Sequence, residues 1–353
     1  MKLHKTFLTT AVGFGLAASA SAQVELTLTG STAFRSVIYD RVAVLFDPGS
    51  LQSNVTNTDK RTYMGTISNA VPALGGTQVT IRSAFSGSGT GMVAVKNQTP
   101  LAALEISGVA VNKVADLSFS DVYPGAASPP IPASSFEARQ VGVVPFVFVK
   151  SNAGMGGVVG ITRDQAILLM TATGDGGMPA SYLGGASTSS IYLIGRDSGS
   201  GTRITTEKVI GFVGSPTLWS TNGLGGFVAT NGYSSGSLVR TVVGNVPNTV
   251  GYLGLSDFLA IAGTATALAY NGVAFTPDTV ANGSYALWGY EHVVNRVGGL
   301  SANQTLVRNA LLGAISDASF QATNSVYTNS FVALSAMQVQ RGADGGPISS
   351  INF

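Results

Sequence analysis

Residues 196 to 202 read Arg196-Asp197-Ser198-Gly199-Ser200-Gly201-Thr202, and a second turn rich in glycine and hydroxyl groups, Gly87-Ser88-Gly89-Thr90-Gly91, lies upstream. Glycine lets the main chain approach a ligand closely, serine and threonine donate O–H, and arginine adds a forked cationic donor suited to tetrahedral oxyanions. Where a helix starts just after such a turn, its unpaired N–H groups and its dipole point at the same place. The chemistry available to these residues is the holding of an anion.

Strand ends must deliver such groups. Val24 to Leu28 alternates as a strand, and Gly30-Ser31-Thr32 turns into Phe34 to Phe46, where Val37, Ile38, Val42 and Leu45 recur at helical spacing. That is a βα unit with its turn at the carboxyl end of a strand, the place where open α/β sheets bind ligands. Thr77 to Arg82 alternates as a second strand and runs into the loop at 87, with a short helix expected over 92–98. Val109 to Asp116 and Leu117-Ser118-Phe119-Ser120-Asp121 give the next strand and loop. Val141 to Val149 reads as a strand buried on both faces, and Ile191 to Ile194 as the strand entering the 196–202 turn, with its helix over 203–213. Thr249 to Leu253 is a further short strand. Thr162 begins a capped helix, and helical stretches are expected at 286–297 and 303–315. Residues 48–75 are polar and turn-rich, an inserted excursion, and the prolines of 124–132 make a loop. Alternating strands and helices imply an α/β fold with a mostly parallel sheet.

Bulk composition narrows the partner. Lys2, His4 and Lys5 precede the apolar run Phe7 to Ala18 and the small residues Ala20-Ser21-Ala22, the pattern of a secretory signal peptide cleaved after Ala22. A periplasmic or secreted protein of 331 residues out of 353 is expected, enough for two domains. Loss of Lys2 and Lys5 leaves 17 Lys and Arg against 17 Asp and Glu, and only 10% of the residues are charged. Without a basic cluster, nucleic acid is excluded as a partner. There is no cysteine, hence no disulfide, no thiolate metal site and no lipid anchor on cysteine. No stretch approaches the roughly 20 apolar residues of a membrane span.

In this order the pieces resemble the periplasmic phosphate-binding proteins of ABC transporters, in the type 2 periplasmic-binding-protein superfamily. Thr29-Gly30-Ser31-Thr32 is similar to the family's first binding turn, Gly87 to Gly91 to its second, Leu117 to Asp121 to its Ser-Asp segment and Val250-Gly251-Tyr252-Leu253-Gly254 to its return strand. Arg196 to Thr202 resembles Arg-x-x-Gly-Ser-Gly-Thr, the most specific of the set. The resemblance implies a two-lobed fold, each lobe a mixed, mostly parallel sheet flanked by helices, with lobe 1 formed by 23–146 plus 252–353 and lobe 2 by 147–251. It implies an anion held by Ser31, Thr32, Ser88 and Gly89, with Arg196 supplying charge-assisted bonds and Ser198, Ser200, Gly201 and Thr202 closing the cage. Asp121 would accept a proton carried by the ligand and so favour hydrogen phosphate over sulfate. Inorganic phosphate or a related oxyanion is the implied partner, with an ABC permease; no cofactor, no enzyme activity and a monomer are expected. The sequence departs from the family where Ser198 stands at a position usually held by aspartate, where Ala33 replaces a frequent aromatic, and in the length of 48–75.

Two other readings exist. Gly232-Tyr233-Ser234-Ser235-Gly236 matches the G-x-S-x-G pattern of serine hydrolases, with Asp257 and His292 following in the required order. A surface or structural protein that keeps the binding fold without transport is the other.

Overall fold

The computed structural model describes residues 23–127, 129–172 and 177–351, so the expected signal peptide lies outside the described residues. Its main sheet contains β1 (Val24–Gly30), β2 (Gln52–Asn54), β3 (Thr62–Thr66), β4 (Gln78–Phe85), β5 (Leu117–Ser120) and β6 (Phe136–Ser151). It continues with β7 (Met178–Pro179), β8 (Ser190–Ile194), β9 (Thr249–Gly254), β10 (Ala265–Ala267) and β11 (Trp288–Arg296). The spatial order is β7-β8-β9-β6-β11-β5-β1-β4-β3-β2, with β10 also paired to β6. Helices α1 (Arg35–Ala43), α2 (Ser88–Asn97), α3 (Arg163–Thr171), α4 (Gly201–Ile210), α5 (Gly236–Asn245) and α6 (Ala302–Ile315) flank it. No helix of the described residues is long and apolar enough to cross a membrane.

The sixteen residues of β6 stitch the sheet together. Phe136 to Pro145 pair with β11, and Phe146 to Lys150 pair with β9. Pro145 has no N–H to give a ladder, and it stands where one partner strand is exchanged for the other. On one side, Leu26, Leu28, Val37, Ile38, Phe119, Phe146 and Leu311 form a core between β1, α1 and α6. On the other, Phe148, Ile191, Leu193, Val239, Val250 and Tyr252 form a second. Each such buried aliphatic or aromatic side chain is worth about 1.5–3 kcal/mol relative to exposure.

Several expectations are corrected. The sheet is mixed, but parallel pairing is confined to β1 with β4 and β5 and to β8 with β9; the strands that join the two halves run antiparallel. Alternation of strands and helices in sequence does not register a strand that returns from the other half. The stretch 286–297 is β11, not a helix: Trp288, Tyr290, Val293 and Val294 are β-prone and the strand is buried on both faces, where apolar periodicity does not separate the two states. The excursion 48–75 is not structureless but adds β3 antiparallel to β4 and β2 antiparallel to β3 at the sheet edge. Residues 265–267 pair with β6, and Tyr285, Leu287 and Trp288 share the second core.

Gly30 ends β1 at φ 106°, and a Cβ there would lie 1.9 Å from the Phe119 carbonyl oxygen. Only glycine fits this backbone. Gly30→Ala is expected to cost about 2–4 kcal/mol or to prevent folding. Gly49→Ala, where a Cβ meets nothing within 4 Å, should stay within roughly 0.5 kcal/mol of the parent. Urea midpoints of the two variants decide the matter.

Candidate functional site

Three strand ends and two helix starts meet at Asp121, which follows β5. Ser31 sits in the turn after β1, its N–H donating to the Phe119 carbonyl at 2.8 Å. Its hydroxyl accepts from the N–H groups of Ala33 and Phe34 at 3.2 Å each and donates to Asp121 Oδ1. Ser88 is the first residue of α2, and its hydroxyl accepts from the Asp121 N–H at 3.1 Å. From the other half, Thr202 Oγ1 donates to Asp121 Oδ2 at 3.5 Å and Thr205 Oγ1 to the Asp121 carbonyl at 3.4 Å. Ser200 caps α4 by accepting from Arg203 N–H at 3.3 Å. Gly201 packs so closely that a Cβ would stand 2.3 Å from Ser88 Oγ and 2.8 Å from Asp121 Oδ2. Because α2 begins at Ser88 and α4 at Gly201, the N–H groups of both first turns lie outside the helical ladders and carry positive partial charge into the same place.

Arg196 enters from the end of β8. Its Nε donates to the Tyr233 carbonyl at 3.1 Å, Nη2 to the Ser234 carbonyl at 2.8 Å and Nη1 to Thr32 Oγ1 at 3.2 Å, while its backbone N–H donates to the Tyr252 hydroxyl at 3.2 Å. The side chain is 2% exposed, and no carboxylate stands within 4 Å of it among the described residues. Burial pulls its pKa down, against the pull of Asp197, Asp257 and Asp121. A buried cation held only by neutral oxygens is costly unless an anion comes to it.

Ser31, Thr32, Ser88, Asp121, Arg196, Ser200, Gly201 and Thr202 are thus brought together, and all are buried. Two expected members are placed otherwise. Ser198 is exposed on the outside of its turn, and Asp197 Oδ1 accepts from Gly199 N–H at 3.2 Å instead, so the acidic side chain has moved one residue along the motif. Gly89 donates its N–H to the Gly199 carbonyl at 2.9 Å, so that donor joins the two loops and is not left for a ligand.

Sequence reasoning missed Glu291 and Asp344. Glu291, on β11, is completely buried, and burial together with the neighbouring Asp121 charge raises its pKa well above the usual carboxylate range. The strand register shifts between Glu291 and His292, the kind of bulge that re-aims a side chain beside a site. A lone acid inside the run Trp288 to Val294 was the available signal. Asp344 accepts from Tyr123 N–H at 2.9 Å, and burial raises its pKa to about 7; nothing in its glycine-rich surroundings marked it.

The hydrolase residues have other partners. Asp257 is ion-paired to Arg240 at 3.0 Å and Arg35 at 3.4 Å, and the Ser234 carbonyl serves Arg196. His292 lies on a strand, with Nδ1 3.2 Å from the Ser120 carbonyl and its ring against Tyr123, and burial lowers its pKa to about 4.

No protein-family profile matches the chain, and no curated protein matches it in sequence. Solved structures do. A substrate-binding protein with bound phosphate from Clostridium perfringens, assigned to phosphate ABC transport, superposes with TM-score 0.60 at 15% identity, over 88% of this chain and 99% of its own. An ABC-type phosphate transport receptor from Vibrio cholerae gives 0.54 at 16% identity over 88% and 99%. A phosphate-binding protein from Stenotrophomonas maltophilia gives 0.53 at 14% identity over 88% and 91%. The chain has their fold. Identities this low carry the architecture and leave the ligand to the chemistry of the site.

The raised pKa of Glu291 has a definite sign. Above the usual carboxylate range the native state keeps a proton that the unfolded chain releases, so this group's contribution to stability is full at low pH and is lost as pH rises. Glu291→Gln keeps the shape and removes the titration. The melting temperature of that variant should fall less than the parent's between about pH 5 and pH 8, each unit of pKa shift being worth about 1.4 kcal/mol. Equal slopes would show that Glu291 does not titrate there.

Proposed function

We propose that this protein captures phosphate, or a similar tetrahedral oxyanion, in the cleft between two lobes and hands it to an ABC permease outside the cytoplasm. One observation carries the reading: hydroxyls and helix N-termini from both halves converge, together with Arg196, near the carboxylate of Asp121. Preformed donors in a buried site replace an anion's water shell without reorganising, and the guanidinium supplies the charge. A carboxylate facing an anion repels it unless the ligand brings a proton, so Asp121 favours hydrogen phosphate over sulfate, which has none. The phosphate bound by a protein of the same fold supports the ligand class.

The lobes we propose are 23–146 with 288–353, and 147–287. Thr32, Ser88 and Asp121 belong to the first; Arg196, Ser200, Gly201 and Thr202 belong to the second. A ligand that touches both favours the closed arrangement by differential contact. Secretion with cleavage after Ala22 and a monomeric state complete the proposal.

Calorimetric titration of the mature protein with phosphate and with sulfate tests it. Phosphate is expected to bind and sulfate to bind much more weakly; binding of neither overturns the reading, and equal binding overturns the role of Asp121. Arg196→Ala should lower phosphate affinity by about a hundredfold or more, since hydrogen bonds to charged groups are worth roughly 1.5–3 kcal/mol each. Unchanged affinity in that variant would remove Arg196 from the site.

A further inference from the structure

A cavity of about 420 Å³ is lined in part by Thr32, a residue of the cage. Among its lining residues are Arg35 and Ser36 of α1, Arg61 before β3 and Arg240 of α5. Thr32 belongs to both cavity and cage. Its hydroxyl accepts from Arg196 and its carbonyl accepts from Arg35 Nη1, so one residue ties the cage to the cavity wall. At roughly 30 Å³ per water, the cavity has room for on the order of ten waters, more than a single tetrahedral oxyanion needs.

The charges around it are unevenly matched. Arg240 pairs with Asp257 at 3.0 Å, Arg35 reaches Asp257 and Asp59 at 3.4 Å each, and Asp40 is taken by Arg41. Arg61 has no carboxylate within 4 Å among the described residues; its guanidinium lies over the Tyr39 ring, 4.2 Å from the centroid. Its Nε is buried without a hydrogen-bond partner, and so is the hydroxyl of Ser36. Two orphaned donors on one cavity wall, one of them cationic, call for an acceptor. The polar excursion at 48–75 supplies Arg61 and Thr58 to the rim.

We propose that this cavity is a second anion subsite, taking the second anionic group of a compact ligand with two such groups, a diphosphate or a phosphorylated small acid, whose phosphoryl group lies in the Asp121 and Arg196 cage. The proposal rests on the oxyanion reading of that cage. Arg61 stacks on Tyr39, which orients its fork, and a phosphate or carboxylate oxygen there satisfies it together with Ser36.

Inorganic phosphate, methyl phosphate and inorganic diphosphate are titrated into the parent, Arg61→Ala and Ser36→Ala, with melting temperatures recorded to show that each variant folds. Diphosphate is expected to bind the parent at least tenfold more tightly than phosphate or methyl phosphate. Arg61→Ala should remove that advantage and leave phosphate affinity within about twofold, and Ser36→Ala should reduce the advantage without abolishing it. Diphosphate binding no tighter than phosphate, or an Arg61→Ala change that weakens both ligands equally, overturns the subsite. Should Arg61→Ala fail to fold, Ser36→Ala with an undiminished diphosphate advantage overturns it. Failure of phosphate to bind the parent at all sinks the reading of the cage instead, and is told apart from loss of the cavity by the response to Arg61→Ala.

Discussion

Arg196 is a buried guanidinium held by two carbonyls and a hydroxyl, with no carboxylate within 4 Å among the described residues, and much of the surrounding structure follows from keeping it there. Its carbonyl partners Tyr233 and Ser234 lie in the turn before α5, and its backbone N–H is fixed by Tyr252 on β9. A Cβ on Gly232 would lie 2.4 Å from the Arg196 carbonyl carbon, so the turn that supplies those carbonyls is pressed directly onto the arginine's own main chain. Removing this cation from water is costly, and neutral oxygens repay only part of it. What remains is an attraction for any anion that reaches the site.

The same residue couples the halves. Its bond to Thr32 crosses from the end of β8 to the turn after β1, beside the Gly89 to Gly199 and Thr202 to Asp121 contacts. Apolar contacts cross with them: Ile204 of α4 shares a core with Met92, Val95, Val122 and Val294, and Val143, Tyr290, Val332 and Val339 lie in the second core.

Much of this could be read from residue types alone. Glycine-serine turns at strand ends, followed by apolar residues at helical spacing, marked α1, α2 and α4 because capping and anion binding draw on the same residues, and the site of Ser31, Ser88 and Arg196 came with them. The long run at 141–149 marked β6 because a strand buried on both faces has no polar alternation to hide it. What escaped was set by tertiary context. β11 reads as a helix until its neighbours β5 and β6 are known, and with it went Glu291. The antiparallel joins and the edge strands β2 and β3 depend on pairings between residues apart in sequence, which local pattern does not encode. Ser198 was misplaced because a motif fixes spacing and not which side chain of two turns inward.

That last displacement bears on selectivity. In the motif this turn resembles, an acid stands at position 198; here the acid is Asp197, and its Oδ1 is occupied by the Gly199 N–H, with burial raising its pKa. The acid thus serves the turn's own backbone and stays out of hydrogen-bonding reach of the guanidinium. An arginine bridged by a carboxylate offers a ligand only part of its charge, whereas one held by carbonyls offers nearly all of it. Near Arg196 lies the Asp121 carboxylate, and burial beside Asp121 raises the pKa of Glu291 well above the usual carboxylate range. In the proposed site, attraction from the guanidinium and a carboxylate that accepts a proton would together favour an anion carrying both charge and a transferable proton, which distinguishes hydrogen phosphate from sulfate without any change in size or shape.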